Sequence, residues 1–146
     1  MNAPLYNAEI LRLAASIPHH ERLGDPMGSA ERRSPICGSR VTVDVDTDDD
    51  GRVRTVGLLV RACALGQASS ALLATHVVGR TPAEIVAARD DLTRWLAGEG
   101  DAPAWPGLEV FAPALSYTAR HASIRLAFEA AAEAAEQAAS KGAVHA

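Results

Sequence analysis

Two extended runs joined by an acidic turn constrain this chain more than any other stretch. Val41, Val43 and Val45 alternate with Thr42, Asp44 and Asp46, the period-two pattern of a strand with one buried face. Asp48, Asp49, Asp50 and Gly51 follow as a polar cluster, and Asp50-Gly51 is a strong hairpin signal. The second run, Arg52 to Val60, puts Val56, Leu58 and Val60 on one face. An antiparallel hairpin brings the start of its first strand beside the end of its second. The two cysteines of the chain, Cys37 and Cys63, stand just outside those two ends. The register alone therefore predicts that they meet at one end of the sheet.

The chain changes character after Cys63. Ala64 to Val78 is rich in Ala, Leu and Ser, has no proline, and is followed by Gly79. That pattern predicts a helix with a glycine stop. Cys63 then lies at a helix N-terminus, where backbone N–H groups and the helix dipole favour a thiolate. Cys37 precedes Gly38, which lets the backbone turn tightly and leaves room beside the sulfur. Two thiolates on loops at one pole of a sheet make half of a metal site.

Size and charge exclude several classes. The 146 residues suit one domain, long enough to bury a core, with residues 5–139 ordered and 140–146 fraying. Alanine is abundant and aromatic residues are scarce, so the core is mainly aliphatic. A net charge of −4, with Lys141 as the single lysine, gives no basic surface for nucleic acid. No apolar run approaches the roughly 20 residues of a membrane span, and residues 1–6 carry no secretory pattern. Two cysteines are too few for a disulfide framework, which points to a reducing cytoplasm.

The motifs resemble a known family. Ser-Pro-Ile-Cys-Gly at Ser34 to Gly38 is followed by two strands. Ala-Cys-Ala-Leu-Gly-Gln-Ala-Ser-Ser-Ala comes next at Ala62 to Ala71, then Gly-Arg-Thr-Pro-Ala-Glu at Gly79 to Glu84. This order is similar to that of the iron–sulfur cluster scaffold family: IscU, SufU and the N-terminal domain of NifU. The resemblance extends from Tyr6 to about Ala135. It implies an α+β fold with a small antiparallel sheet of about three strands, built on the hairpin, against four to five helices.

The remaining segments fit that frame. Ile10, Leu11, Leu13 and Ala14 predict a short amphipathic helix within Tyr6 to Ser16, ended by Pro18. His19 to Arg33 reads as a polar loop without regular structure; its adjacent His19 and His20 suit metal or partner contact or, more simply, solvation. Thr81, Pro82 and Glu84 form a capping-box start for a helix to about Leu96, with Ile85, Val86, Leu92, Trp95 and Leu96 inward. Leu108 to Leu115, broken by Pro113, reads as a helical turn. The last helix runs from about Thr118 through Ala138, with Ile124, Leu126, Phe128, Ala131 and Ala135 inward and Glu129, Glu133 and Glu136 on a solvated face. His76 is read as an ordinary helix residue.

The resemblance assigns the site residue by residue. Cys37 and Cys63 match the first two ligand cysteines of the family. The family aspartate after Cys-Gly falls on Ser39, and the third cysteine falls on Ser123. The IscU histidine falls on Ala122, and His121 is the nearby imidazole. Thiolates and imidazole suit iron and zinc. A serine hydroxyl is a poor ligand at neutral pH, and two thiolates alone do not close a [2Fe–2S] cluster. His121 with Ser123, a second subunit as in a homodimer, or an external thiol can complete the set. Local hydrogen bonding for His121 and helix capping for Ser123 are the competing structural readings. The aspartate is implied to keep the cluster labile, so Ser39 implies tighter retention.

The function implied is that of a scaffold, not an enzyme. Iron or a nascent [2Fe–2S] cluster would be held and passed on, with a cysteine desulfurase and apo-acceptor proteins as partners. The alternatives are a SufE-like persulfide acceptor acting through Cys63 and a zinc-binding variant.

Overall fold

The structure, a computed structural model, describes residues 6–35 and 38–145, with side chains through residue 141. The elements run α1 (Ala8–Ala14), β1 (Gly28–Arg33), β2 (Arg40–Thr47), β3 (Val53–Arg61), α2 (Ala64–His76) and α3 (Pro82–Leu96). Two 3₁₀ segments (Leu108–Ala114 and Thr118–Arg120) then lead into α4 (His121–His145). This is the expected α+β architecture.

The sheet is antiparallel with order β1-β2-β3. Val41 pairs with Val60, Val43 with Leu58 and Val45 with Val56, so the six residues read as one apolar face do share it, and all are buried. The acidic turn closes as its sequence requires. The Asp48 carboxylate accepts from the Asp50 and Arg52 N–H groups, and Gly51 has φ +79°, a conformation that favours glycine.

The polar segment His19 to Arg33, expected to lack regular structure, contributes the edge strand β1 at its end. Its inward residues are Gly28 and Ala30, too small to give an apolar alternation. The smallness has a use: a Cβ on Gly28 would lie 1.9 Å from the Ala134 carbonyl oxygen of α4. Helix α4 lies against β1 and β2, presenting Ala131, Ala134, Ala135 and Ala138, all without solvent contact. The high alanine content thus lets a helix backbone approach a sheet closely.

The rest of the polar segment covers the other face of the sheet and the β3 edge. Arg22, the Leu23 N–H and Ser29 all donate to Asp44, and the Met27 N–H donates to Asp46. Leu58 N–H donates to the His19 carbonyl and Val60 N–H to His20 Nε2. His20 therefore caps a strand edge, a role beyond the contact and solvation readings of this pair.

The helices follow their signals with small shifts. Both halves of the Thr81/Glu84 capping box form. In α1, Ile10 is buried, while Leu11, another of the four residues that predicted the helix, faces solvent. Leu108–Ala114 is a 3₁₀ helix, and α4 begins at His121 after a 3₁₀ turn over Thr118–Arg120. Trp105 fills the space between α2 and α4, its indole N–H donating to the Leu72 carbonyl and its ring meeting Phe128 edge-on.

Candidate functional site

The site is built at the end of the sheet where β1 passes to β2 and β3 leaves for α2. Arg33 pairs with Arg40, and Arg40 pairs with Arg61. These pairings bring the Ser34-to-Ser39 loop beside the entry to α2. The loop closes through two backbone bonds, from Ser34 N–H to the Ser39 carbonyl (2.8 Å) and from Gly38 N–H to the Ser34 carbonyl (3.2 Å). Gly38 has φ +72°, the tight turn expected of the glycine after Cys37. Cys37 itself lies outside the described residues.

Cys63 is the N-cap residue of α2, with extended backbone (φ −66°, ψ 172°), and its carbonyl accepts from Gln67 N–H. Its thiol is free and half-buried. It makes no side-chain capping bond, so the sulfur is not committed to holding the helix.

The start of α4 closes the pole from a third side. Ser69 Oγ donates to the Ile124 carbonyl at 2.6 Å. A Cβ on Gly66, one turn beyond Cys63, would stand 3.2 Å from the Ser123 carbonyl oxygen. Ser123 is buried, and its hydroxyl donates to the Ser39 hydroxyl at 3.3 Å. The two serines that the resemblance lays on family site positions thus meet each other. His121 is buried two residues earlier, with Nε2 2.9 Å from the Ala114 carbonyl. A carbonyl only accepts, so Nε2 is the donor in this contact, and Nδ1 is the ring nitrogen left for another partner.

Ser39, Ser123 and the Cys63-bearing turn are therefore brought together, while His121 is anchored to the segment before α4. Among the described residues, no three His, Cys, Asp or Glu side chains converge as a metal cage. Sequence reasoning missed the arginines of this pole. Arg33, Arg40 and Arg61 line a half-open hollow of about 290 Å³ with Ser34, Pro35 and Gly38. The signal was present in the hairpin register, which fixes Arg40 opposite Arg61, but β1 was needed to add Arg33. Glu31 ion-pairs with Arg33 and Arg40. The hydrogen bond from Arg33, helped by the charges of Arg33 and Arg40, holds its carboxyl below the usual glutamate range.

Fold and pole together define a class: an α+β scaffold that sets a sulfur donor at the end of a small sheet, beside the start of its last helix. No protein-family model matches the chain. The structure is similar to that of the N-terminal part of a nitrogen-fixing NifU-like protein from Brucella abortus, with a TM-score of 0.88 and 40% identity over 94% of this chain and 96% of that one. It also matches a protein of Fervidobacterium islandicum AW-1, described as an iron–sulfur cluster assembly scaffold protein of the SUF system. That match has a TM-score of 0.82 over 90% of this chain and 96% of the other; at 19% identity it speaks to fold alone. The iron–sulfur cluster assembly scaffold protein IscU of Streptococcus pyogenes serotype M1 is 25% identical over 82 residues, 56% of this chain and about half (51%) of that relative. The chain belongs to the IscU/NifU-like family of iron–sulfur cluster assembly scaffold proteins. That is a family of scaffolds and not of enzymes. No helix among the described residues is long and apolar enough to cross a membrane.

Proposed function

We propose that this chain holds iron or a nascent iron–sulfur cluster through Cys37 and Cys63 and releases it to acceptor proteins. The observation that carries the reading is the pairing of Arg40 with Arg61. It places the segment following Cys37 beside the segment preceding Cys63, at the end of the sheet where α4 begins. Kinship with a NifU-like domain over nearly the whole chain supports the same role.

The cargo is iron and sulfide: a cysteine desulfurase would supply the sulfur as a persulfide, whose outer sulfur leaves as sulfide when two external thiols are oxidised to a disulfide. Thiolates bind iron strongly, and a [2Fe–2S] cluster has four protein-ligand positions to fill. Cys37 and Cys63 fill two. His121 Nδ1 is the third donor in this reading. Ser123 is the weaker candidate, because its hydroxyl is engaged with Ser39 and would have to ionise. Ser39 takes a hydrogen bond where the family has a carboxylate, so one ligand is missing from the chain and retention differs from that of a full ligand set.

Anaerobic reconstitution with iron and sulfide tests the proposal. The expected result is a brown protein with sulfide-to-iron charge-transfer absorption, lost in Cys37→Ala and in Cys63→Ala, and weakened more by His121→Ala than by Ser123→Ala. Full metal stoichiometry in the double cysteine variant would overturn it. A colourless protein carrying persulfide on Cys63 would favour sulfur transfer, and a colourless protein retaining zinc would favour a zinc site.

A further inference from the structure

We infer that the exposed end of the sheet, on the face turned away from α4, is a docking surface for an acidic, extended segment of a partner protein. The inference does not depend on what Cys37 and Cys63 hold.

Register defines the surface. On the face opposite Val41 and Val60, Arg33 of β1 lies beside Arg40 of β2, and Arg40 lies beside Arg61 of β3. Strands stand about 4.8 Å apart, so the three arginines form a row about 10 Å wide across the whole sheet. Like charges directly opposite each other on one face are destabilising. Glu31 relieves part of the row by pairing with Arg33 and Arg40. Arg61 has no ion pair or hydrogen bond among the described residues, and its cross-strand neighbour is another arginine. Three positive charges thus face one negative charge, in a chain whose net charge is −4. An incoming anionic group removes a repulsion that the fold alone leaves in place.

The polar segment that packs on this face meets it further along the strands. It reaches Asp44 through the Leu23 N–H, and the Glu21 carbonyl oxygen would lie 2.3 Å from a Cβ on Gly57. Nearer the row, Leu59 is exposed, as are Arg33 and Arg61. Leu59 therefore sets an apolar side chain next to the arginines.

Shape and exposure decide between occupants. The hollow of about 290 Å³ lies between the row and the turn at Ser34, Pro35 and Gly38. Sites for small molecules bury most of their ligand. Here the Arg33 side chain is 65% exposed and that of Arg40 33%, so a single small anion would leave the row largely in solvent. Alternate residues of an extended segment point to one side, about 7 Å apart. Two or three carboxylates at that spacing match the row, each able to meet a guanidinium fork through parallel N–H···O bonds. The chain's own acidic turn at Asp48 to Gly51 lies at the other end of the β2–β3 hairpin. Seating it on a second copy would join copies head to tail, without a two-fold dimer, so the surface is assigned to a different protein.

The probe is the peptide acetyl-Glu-Val-Glu-Val-Glu-amide, titrated into ¹⁵N-labelled protein at low salt. Binding is expected, with amide shifts clustered at Arg33, Arg40 and Arg61. Added salt should weaken it, and Arg61→Glu should weaken it about tenfold or more, with thermal melting to check that the variant is folded. No binding, equal binding of the glutamine counterpart, equal binding by folded Arg61→Glu, or shifts confined to another surface overturns the inference. Inorganic phosphate binding as tightly as the peptide overturns it in favour of a small-anion seat. Self-association in the ultracentrifuge that is lost on changing Asp49→Asn and Asp50→Asn together overturns it in favour of a second copy. Stability gives an independent reading: Arg61→Ser should melt at the same temperature as the unaltered protein or higher, because it removes a like-charge pair. A markedly lower melting temperature would show that Arg61 supports the fold, and would remove the repulsion on which the inference stands.

Discussion

Asp44 accepts four hydrogen bonds without any contact with solvent: two from Arg22, one from the Leu23 N–H and one from Ser29. Burial alone would raise its carboxyl pKa. The hydrogen bonds from Arg22, Ser29 and Leu23 and the Arg22 charge outweigh burial and hold it below the ordinary value of 3.8. A folded-state value below the unfolded one stabilises the protein above the unfolded value, and that contribution is lost as pH falls through the folded value. Asp44→Asn should therefore cost about 2 kcal/mol at pH 7 and flatten the fall in stability below pH 4. Urea unfolding from pH 7 to pH 3 reads both effects; an equally steep acid limb in the variant contradicts the assignment. The sequence marks Asp44 as an outward residue of an alternating strand, and nothing local reveals its burial. The residues that cover it arrive from positions 22–29, a segment with no periodicity of its own.

Among the elements, β1 and α4 show how small residues encode packing. Valine alternation made β2 and β3 legible, and Thr81-Pro82 with Glu84 made the start of α3 legible, because each is a local pattern with a local physical cause. The strand β1 was not legible. Its inward positions, Gly28 and Ala30, are selected for closeness to α4 and not for apolar bulk. Gly28→Ala should accordingly destabilise the protein by about 1–3 kcal/mol or more, because the new Cβ meets the backbone atoms of Ala134 and Ala138. Gly24→Ala, which meets nothing within 4 Å, is the control with little change. Denaturant midpoints compare them, and equal midpoints would show that α4 does not depend on that close approach.

At the scale of the whole molecule, the fold gathers three distant segments at one pole: the Ser34-to-Ser39 loop, the Cys63 cap and the first turn of α4. The hairpin made the convergence of the first two predictable, because register is a local consequence of a tight turn. The place of α4 came from family resemblance, and the Ser39–Ser123 hydrogen bond spans 84 positions that no periodicity connects. The arginine hollow stayed hidden for a related reason: it needs three strand ends at once. What these segments are arranged to do depends on the distance between two sulfurs. Treating metal-free, reduced protein with a short bifunctional thiol reagent, then mapping the products by mass spectrometry, measures that distance most directly. The account predicts an intramolecular Cys37–Cys63 cross-link, suppressed when metal is bound first. Two separately modified thiols, with cross-links absent or formed only between molecules, would contradict it.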